Sequence, residues 1–291
     1  MQSDPRPVLA LEIRPARPQP ALASAPYDRW VTPEGEVKAE FHRRPEGFLV
    51  RFPDEADFAL DIAARRATGW PAPGTTPDHF DSLFQHGVVP LVGNHLGGLF
   101  LHGSAVRVDG QAIAFLGLSR GGKTTLAGAF AKAGYPFMTE DVIELVPSGD
   151  AYLLQPKHSR LRLFVDSAAW LLGSEFADPD DDDKHSLAAG DSLPFSDVAV
   201  PLTRIYVLGR DHDKPLAISP FVGPIALAQL LPHSFVLDVE DKPRLRAQFG
   251  RIGELSERIG VCGLDYPRRY EELPRVTAAI LADISTSREA S

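Results

Sequence analysis

Cysteine is almost missing from this sequence: Cys262 is the single one among 291 residues. An internal disulfide and a cysteine-based zinc site are therefore excluded, and the low thiol count fits a reducing compartment. Long apolar runs are missing too. None reaches the ~20 residues of a membrane span, and the first twenty residues, MQSDPRPVLALEIRPARPQP, lack the apolar centre of a secretory signal. Positive charge is in deficit, with a formal net charge of −9. That argues against a non-specific nucleic-acid binder and against a polybasic membrane-surface protein. No internal repeat is present. The expectation is a soluble cytoplasmic protein with no nucleic-acid or membrane partner. What remains is an ordinary globular composition, 44% hydrophobic and 24% charged, long enough for one large domain or two small ones.

The chain opens with a proline-rich arm over residues 1–26, with an edge strand expected at Val8–Ile13. Residues 27–85 read as a small β-rich lobe. Within it, Gly47–Phe52 and Phe58–Ile62 alternate apolar and polar side chains as half-buried strands do, and Val37–Phe41 is a third candidate. Residues 77–100 read as mainly helical, and 86–288 as the main domain. In that domain Leu101–Val108 and Gln111–Leu116 flank Asp109-Gly110, a strong two-residue hairpin signal. A helix comes next over Thr125–Ala133, then a strand segment over Phe137–Leu145 that places two adjacent carboxylates at a strand edge. Further on come a strand at Ala151–Leu154, a basic turn at Lys157–Arg162 and a helix from about Asp166. Beyond it lie a charged, solvated loop at Asp178–Lys184, strands at Thr203–Gly209 and Gly263–Tyr266, and helices near 223–231, 242–259 and 269–284. The fold class expected is α/β with a mixed sheet, since the hairpin puts an antiparallel pair into it.

The hairpin leads into Gly117-Leu118-Ser119-Arg120-Gly121-Gly122-Lys123-Thr124. This octet fits G-x-x-x-x-G-K-[ST], the Walker A phosphate loop, between the apolar strand Ala112–Leu116 and an Ala-rich helix beginning at Thr125. The glycines let backbone N–H groups approach phosphate oxygens. Lys123 reaches the β- and γ-phosphates in such loops, and the Thr124 hydroxyl sits on Mg²⁺. Phosphoryl transfer further needs a metal ligand and a group that takes the proton of the attacking oxygen. Glu140 and Asp141 are the candidates. Neighbours on a strand point to opposite faces, so an adjacent pair can divide those two roles. His102, on the strand ahead of the hairpin, is by pattern alone either an ordinary histidine or a catalytic one.

Leu101-His102-Gly103, the hairpin, the loop and the acidic pair together resemble the HPr kinase/phosphorylase family. The loop is also similar to that of ATP-dependent phosphoenolpyruvate carboxykinases. Leu161–Asp166, Pro201–Leu208, His233-Ser234-Phe235 and Tyr266-Pro267-Arg268 resemble shorter HPr-kinase-related proteins, including kinases of lasso-peptide precursors. The resemblance implies an α/β phosphate-loop kinase core of the HPr kinase/carboxykinase type, ATP and Mg²⁺, and a Ser hydroxyl on a peptide or small protein as acceptor. It places His102 and Glu140 at catalytic positions and Asp141 at a metal-linked one. It also places Arg162, Lys184 and Arg268 where related kinases carry basic side chains, as candidate substrate or phosphate contacts, and implies self-association. The chain departs from the family in three ways. Glu140 stands where Asp is usual, Arg120 where a small residue is usual, and a glycine- and arginine-rich C-terminal signature is missing. The last argues against phosphorylase activity and against HPr as acceptor. A small-molecule phosphotransferase of the carboxykinase type and a nucleotide-binding regulator without catalysis stay open beside the serine-kinase reading.

Overall fold

The computed structural model describes residues 9–32, 34–157, 160–173, 185–190 and 193–289. Lys184 and the loop expected at 178–184 lie outside the described residues. The chain divides into two compact units: residues up to Gly97 with Phe235–Leu245, and Gly98–Ser234 with Arg246–Ser291. Among the described residues no helix is long and apolar enough to cross a membrane.

The first unit is a six-stranded sheet. Its strands are β1 (Ala10–Ile13), β2 (Asp28–Val31), β3 (Val37–Arg44), β4 (Gly47–Phe52), β5 (Ala56–Asp61) and β6 (Arg66–Pro71), in the order β1-β6-β5-β4-β3-β2. From β2 to β6 it is an antiparallel meander, and β1 joins β6 in parallel. Helices α1 (Pro77–Ser82) and α2 (Val89–His95) come after it, joined by a π-helical stretch at Leu83–Val88. α1 starts where Thr76 accepts a hydrogen bond from His79 N–H and proline occupies the first turn, two standard start signals. Phe58 stacks on Phe80 at 4.9 Å and lies 5.8 Å from Phe84, giving this unit an aromatic core. The returning segment is tied in by Arg43, whose two terminal nitrogens donate to Asp238 at 2.8 and 2.6 Å.

The second unit is a three-layer α/β arrangement. Its strands are β7 (Phe100–Val108), β8 (Gln111–Leu116), β9 (Phe137–Thr139), β10 (Val142–Ser148), β11 (Ala151–Gln155), β12 (Arg160–Leu163), β13 (His185–Ala188), β14 (Val200–Leu208), β15 (Ala217–Phe221) and β16 (Gly260–Asp265). The main sheet runs β11-β10-β7-β8-β14-β16-β15, with β9 on β7, and β11 closes back onto β14. β8, β14 and β16 are mutually parallel; β7 and β15 run against them, while β10, antiparallel to β7, runs with them, so the sheet is mixed. β12 and β13 form a separate ribbon. Helices α3 (Lys123–Lys132), α4 (Val165–Leu172) and α7 (Leu273–Glu289) share one apolar core with one sheet face, through Phe115, Leu126, Phe130, Leu171 and Ile280. Helices α5 (Pro224–Leu230) and α6 (Lys242–Arg258) contribute Leu230, Ile252 and Leu255 to the core on the other face.

Two expectations are corrected. The strand expected over 137–145 is broken at Glu140-Asp141, where Asp141 adopts a left-handed φ of 58°. Thr139 holds the bend: its hydroxyl donates to the Val142 carbonyl at 2.6 Å. The carboxylates therefore do not sit on opposite faces of one strand. The basic turn expected at 157–162 contains strand β12 instead, paired from Arg160 to Leu163 with β13.

Candidate functional site

Topology gathers the sequence-predicted residues before any side chain is considered. The phosphate loop leaves the C-terminal end of β8, and the parallel ends of β14 and β16 lie at the same edge. β7 is antiparallel to β8 with Gly103 opposite Leu116, so the start of β7, with His102, reaches that edge as well. β10 pairs Val142 with His102, which brings Glu140-Asp141 to the same place. Ligands of open α/β sheets sit at such carboxyl ends. The hairpin that sets this register turns on Asp109 (φ 48°) and Gly110 (φ 80°), the two positive φ values of a type I′ turn. Gly103 is needed for the close fit: a Cβ there would lie 2.5 Å from Leu116 Cδ2 and 2.7 Å from the Phe115 carbonyl oxygen.

The loop curls through two left-handed residues, Arg120 (φ 58°) and Gly122 (φ 92°), the kind of alternation that turns successive N–H groups toward one centre. A Cβ at Gly122 would stand 3.4 Å from the Tyr266 hydroxyl and 3.7 Å from Arg268 Cδ, within the concavity. Helix α3 begins at Lys123 directly after Gly122, adding the partial positive charge of a helix N-terminus. Lys123 is buried, and its ammonium donates to the Gly117 and Leu118 carbonyls at 3.1 and 3.0 Å. Gly117 and Leu118 thus serve as backbone, with the Leu118 side chain outward at 49% exposure. Ser119 to Thr125 line a cleft of about 770 Å³ with His102, Asp141, Arg162 and Arg268.

The acidic pair is divided by Arg162. Glu140, 3% exposed, accepts from the Arg162 backbone N–H at 2.8 Å and from its Nε at 2.7 Å. Asp141, 13% exposed, accepts from Arg162 Nη2 and lines the cleft, which Glu140 does not. Burial works against the Arg162 charge, but Asp141 and Glu140 together more than offset it and raise its pKa above the ordinary arginine value. The backbone carbonyl of Asp141 accepts from Gly103 N–H at 3.2 Å and from His102 Nδ1 at 2.9 Å. A carbonyl can only accept, so Nδ1 carries a proton and Nε2 is the basic nitrogen of the neutral ring.

Arg268 lies over the Tyr266 ring at 3.7 Å and donates to the carbonyls of Gly121, Tyr266 and Gly209. Burial lowers its pKa below the ordinary arginine value, which Tyr266 and Asp265 only partly offset. It both braces the loop and adds positive charge beside it. His233 was not singled out as a site residue by sequence. Bridge pairing of Leu101 with Ser234 puts it beside the start of β7. Burial, then the nearness of His102, Lys123 and Arg210, pushes its pKa down to about 4. Asp166, the last residue of the Leu161–Asp166 segment, and Tyr270, which no motif signals, also line the cleft.

The oxygen donors fit Mg²⁺. The Thr124 hydroxyl and the Asp141 carboxylate both line the cleft, and both are hard oxygens. Among the described residues no group of three or more His, Cys, Asp or Glu is gathered for a metal. Nucleotide-bound Mg²⁺ does not require one, because phosphate and water supply most of its shell.

No family model matches the chain, and no curated protein matches it. Among solved structures it is similar to the HPr(Ser) kinase/phosphatase of Coxiella burnetii, at 11% identity over 65% of this chain and 99% of that one, with a TM-score of 0.36. A likeness that distant says nothing about activity, so the chemistry has to come from the cleft.

Proposed function

We propose that the protein is a kinase that transfers the γ-phosphoryl group of ATP to a Ser hydroxyl of a peptide or small protein. The acceptor that best fits the resemblance of the sequence is a ribosomally made precursor peptide of the lasso type. The observation that carries the reading is the convergence of the phosphate loop, His102 and Asp141 on one sheet edge, around one cleft. In this reading the loop N–H groups and Lys123 hold the β- and γ-phosphates, with Arg120 and Arg268 adding positive charge. Thr124 and Asp141 hold Mg²⁺, which supplies charge neutralisation when bound.

His102 Nε2 takes the seryl proton as the Ser oxygen–phosphorus bond forms and the bond to the departing ADP oxygen breaks. Its ring is aimed by the bond from Nδ1–H to the Asp141 carbonyl. Glu140 acts at one remove: it fixes Arg162, and Arg162 fixes the Asp141 carboxylate. This shifts the catalytic role expected of Glu140 to that of a positioning residue.

The test is mass spectrometry of candidate precursor peptides after incubation with the protein, ATP and Mg²⁺. A product heavier by one phosphoryl group, mapped to Ser and lost with Lys123→Ala, is expected. Nucleotide binding with no transfer to any seryl peptide would overturn it in favour of a non-catalytic nucleotide-binding protein.

A further inference from the structure

The cleft offers more than a triphosphate can use. Phe164, Val165, Tyr270 and Leu273 form an apolar part of its lining, and Asp166 stands exposed among them at the first turn of α4. The Arg120 guanidinium of the loop lies 5.3 Å from the Phe164 ring centre, and Tyr270 stacks on Trp170 at 5.6 Å with 21° between planes. A chain of hydroxyls ties this wall to the loop. Thr125 Oγ1 shares a hydrogen bond with Ser167 Oγ at 3.0 Å, and Ser167 Oγ shares another with the Tyr270 hydroxyl at 3.0 Å. Burial, opposed by Ser167 and supported by a hydrogen bond to Asp166, pushes the Tyr270 pKa up to about 12, so its hydroxyl stays protonated. One Asp166 oxygen accepts from the Ser167 N–H at 2.8 Å. A carboxylate repels phosphate, so Asp166 must serve a part of the ligand that carries donors. Paired carboxylate oxygens suit vicinal hydroxyls, and aromatic faces suit a flat base.

Resting on the nucleotide reading above, we infer that Phe164 and Tyr270 receive the base and that Asp166 accepts hydrogen bonds from the ribose hydroxyls, making this wall the nucleoside end of the site. The cleft volume of about 770 Å³ falls inside the range of about 300–1,000 Å³ usual for small-molecule sites.

The experiment is calorimetric titration of the full chain, with Mg²⁺, using ATP, 2′-deoxy-ATP and inorganic tripolyphosphate. Wild type should bind ATP about tenfold or more tighter than 2′-deoxy-ATP, as expected for a hydrogen bond to a charged group. Asp166→Asn should erase most of that preference without weakening tripolyphosphate, and Phe164→Ala should weaken both nucleotides several-fold more than it weakens tripolyphosphate. If Asp166→Asn keeps the ATP preference, or if wild type binds ATP no tighter than tripolyphosphate, the nucleoside assignment fails and the phosphate site stands. Failure of all three ligands to bind overturns the kinase reading together with it.

Discussion

Glu140 is the side chain whose sequence role and structural position differ most, so its replacement is the sharpest probe of the site. Glu140→Gln keeps shape but removes the charge that Arg162 faces from two directions, at 2.8 and 2.7 Å. Glutamine can satisfy one of those donors with its oxygen and turns an N–H₂ toward the other. Breaking a buried pair by removing one partner costs about 3–5 kcal/mol. Arg162 is 25% exposed and keeps Asp141, so the lower end, about 3 kcal/mol, applies. For a domain of 150–250 residues that corresponds to a Tm drop of about 6–12 °C. The reciprocal change, Arg162→Met, leaves the Glu140 carboxylate buried without its cation and should cost as much or more. The double variant should then lose about 1–3 kcal/mol less than the sum of the singles. Urea unfolding of the four proteins measures this directly. Additivity within about 0.5 kcal/mol would refute the clamp, and with it the view that Glu140 works through Arg162.

Two further outcomes concern stability alone. His233 has its folded pKa pushed down to about 4 from the ordinary 6.5, so between those values the unfolded chain binds the extra proton. Its contribution is therefore complete above pH 6.5 and is lost as pH falls toward 4, by up to about 3 kcal/mol. Replacing it by Asn should flatten the urea midpoint over that window relative to wild type; parallel curves would contradict the burial argument. Gly103→Ala should destabilise by about 2 kcal/mol, because the new methyl meets the Phe115 carbonyl and Leu116 across the hairpin. A thermal midpoint within a degree of wild type would show that β7 and β8 have room to part.

The parts of the site legible in the sequence are those fixed by local chemistry. Asp109-Gly110 demands a tight turn, and the glycines with Lys123 and Thr124 form the motif expected to hold an anion between strand and helix. Once those two are set, strand direction carries His102 to the loop. The break at Glu140-Asp141 is hidden because apolar residues flank the acidic pair on both sides and the segment reads as one strand, while Asp tolerates the left-handed conformation that only tertiary contacts select. Those contacts are the Gly103 N–H and the His102 ring on one Asp141 carbonyl, and neither is encoded nearby. β12 is hidden by its charge: Arg160-Leu161-Arg162-Leu163 has a strand's period of two, but its arginines read as a basic turn. The Asp166–Tyr270 wall joins residues about a hundred positions apart, and no local pattern announces it.

The most direct test is the rate of Ser phosphorylation by wild type and His102→Asn at saturating ATP and Mg²⁺, alongside the ATP Kd of each. A general base contributes about 10²–10⁴-fold, so the variant should lose at least a hundredfold in kcat with its ATP Kd unchanged. Full-rate transfer by His102→Asn would contradict the assignment of the proton to His102.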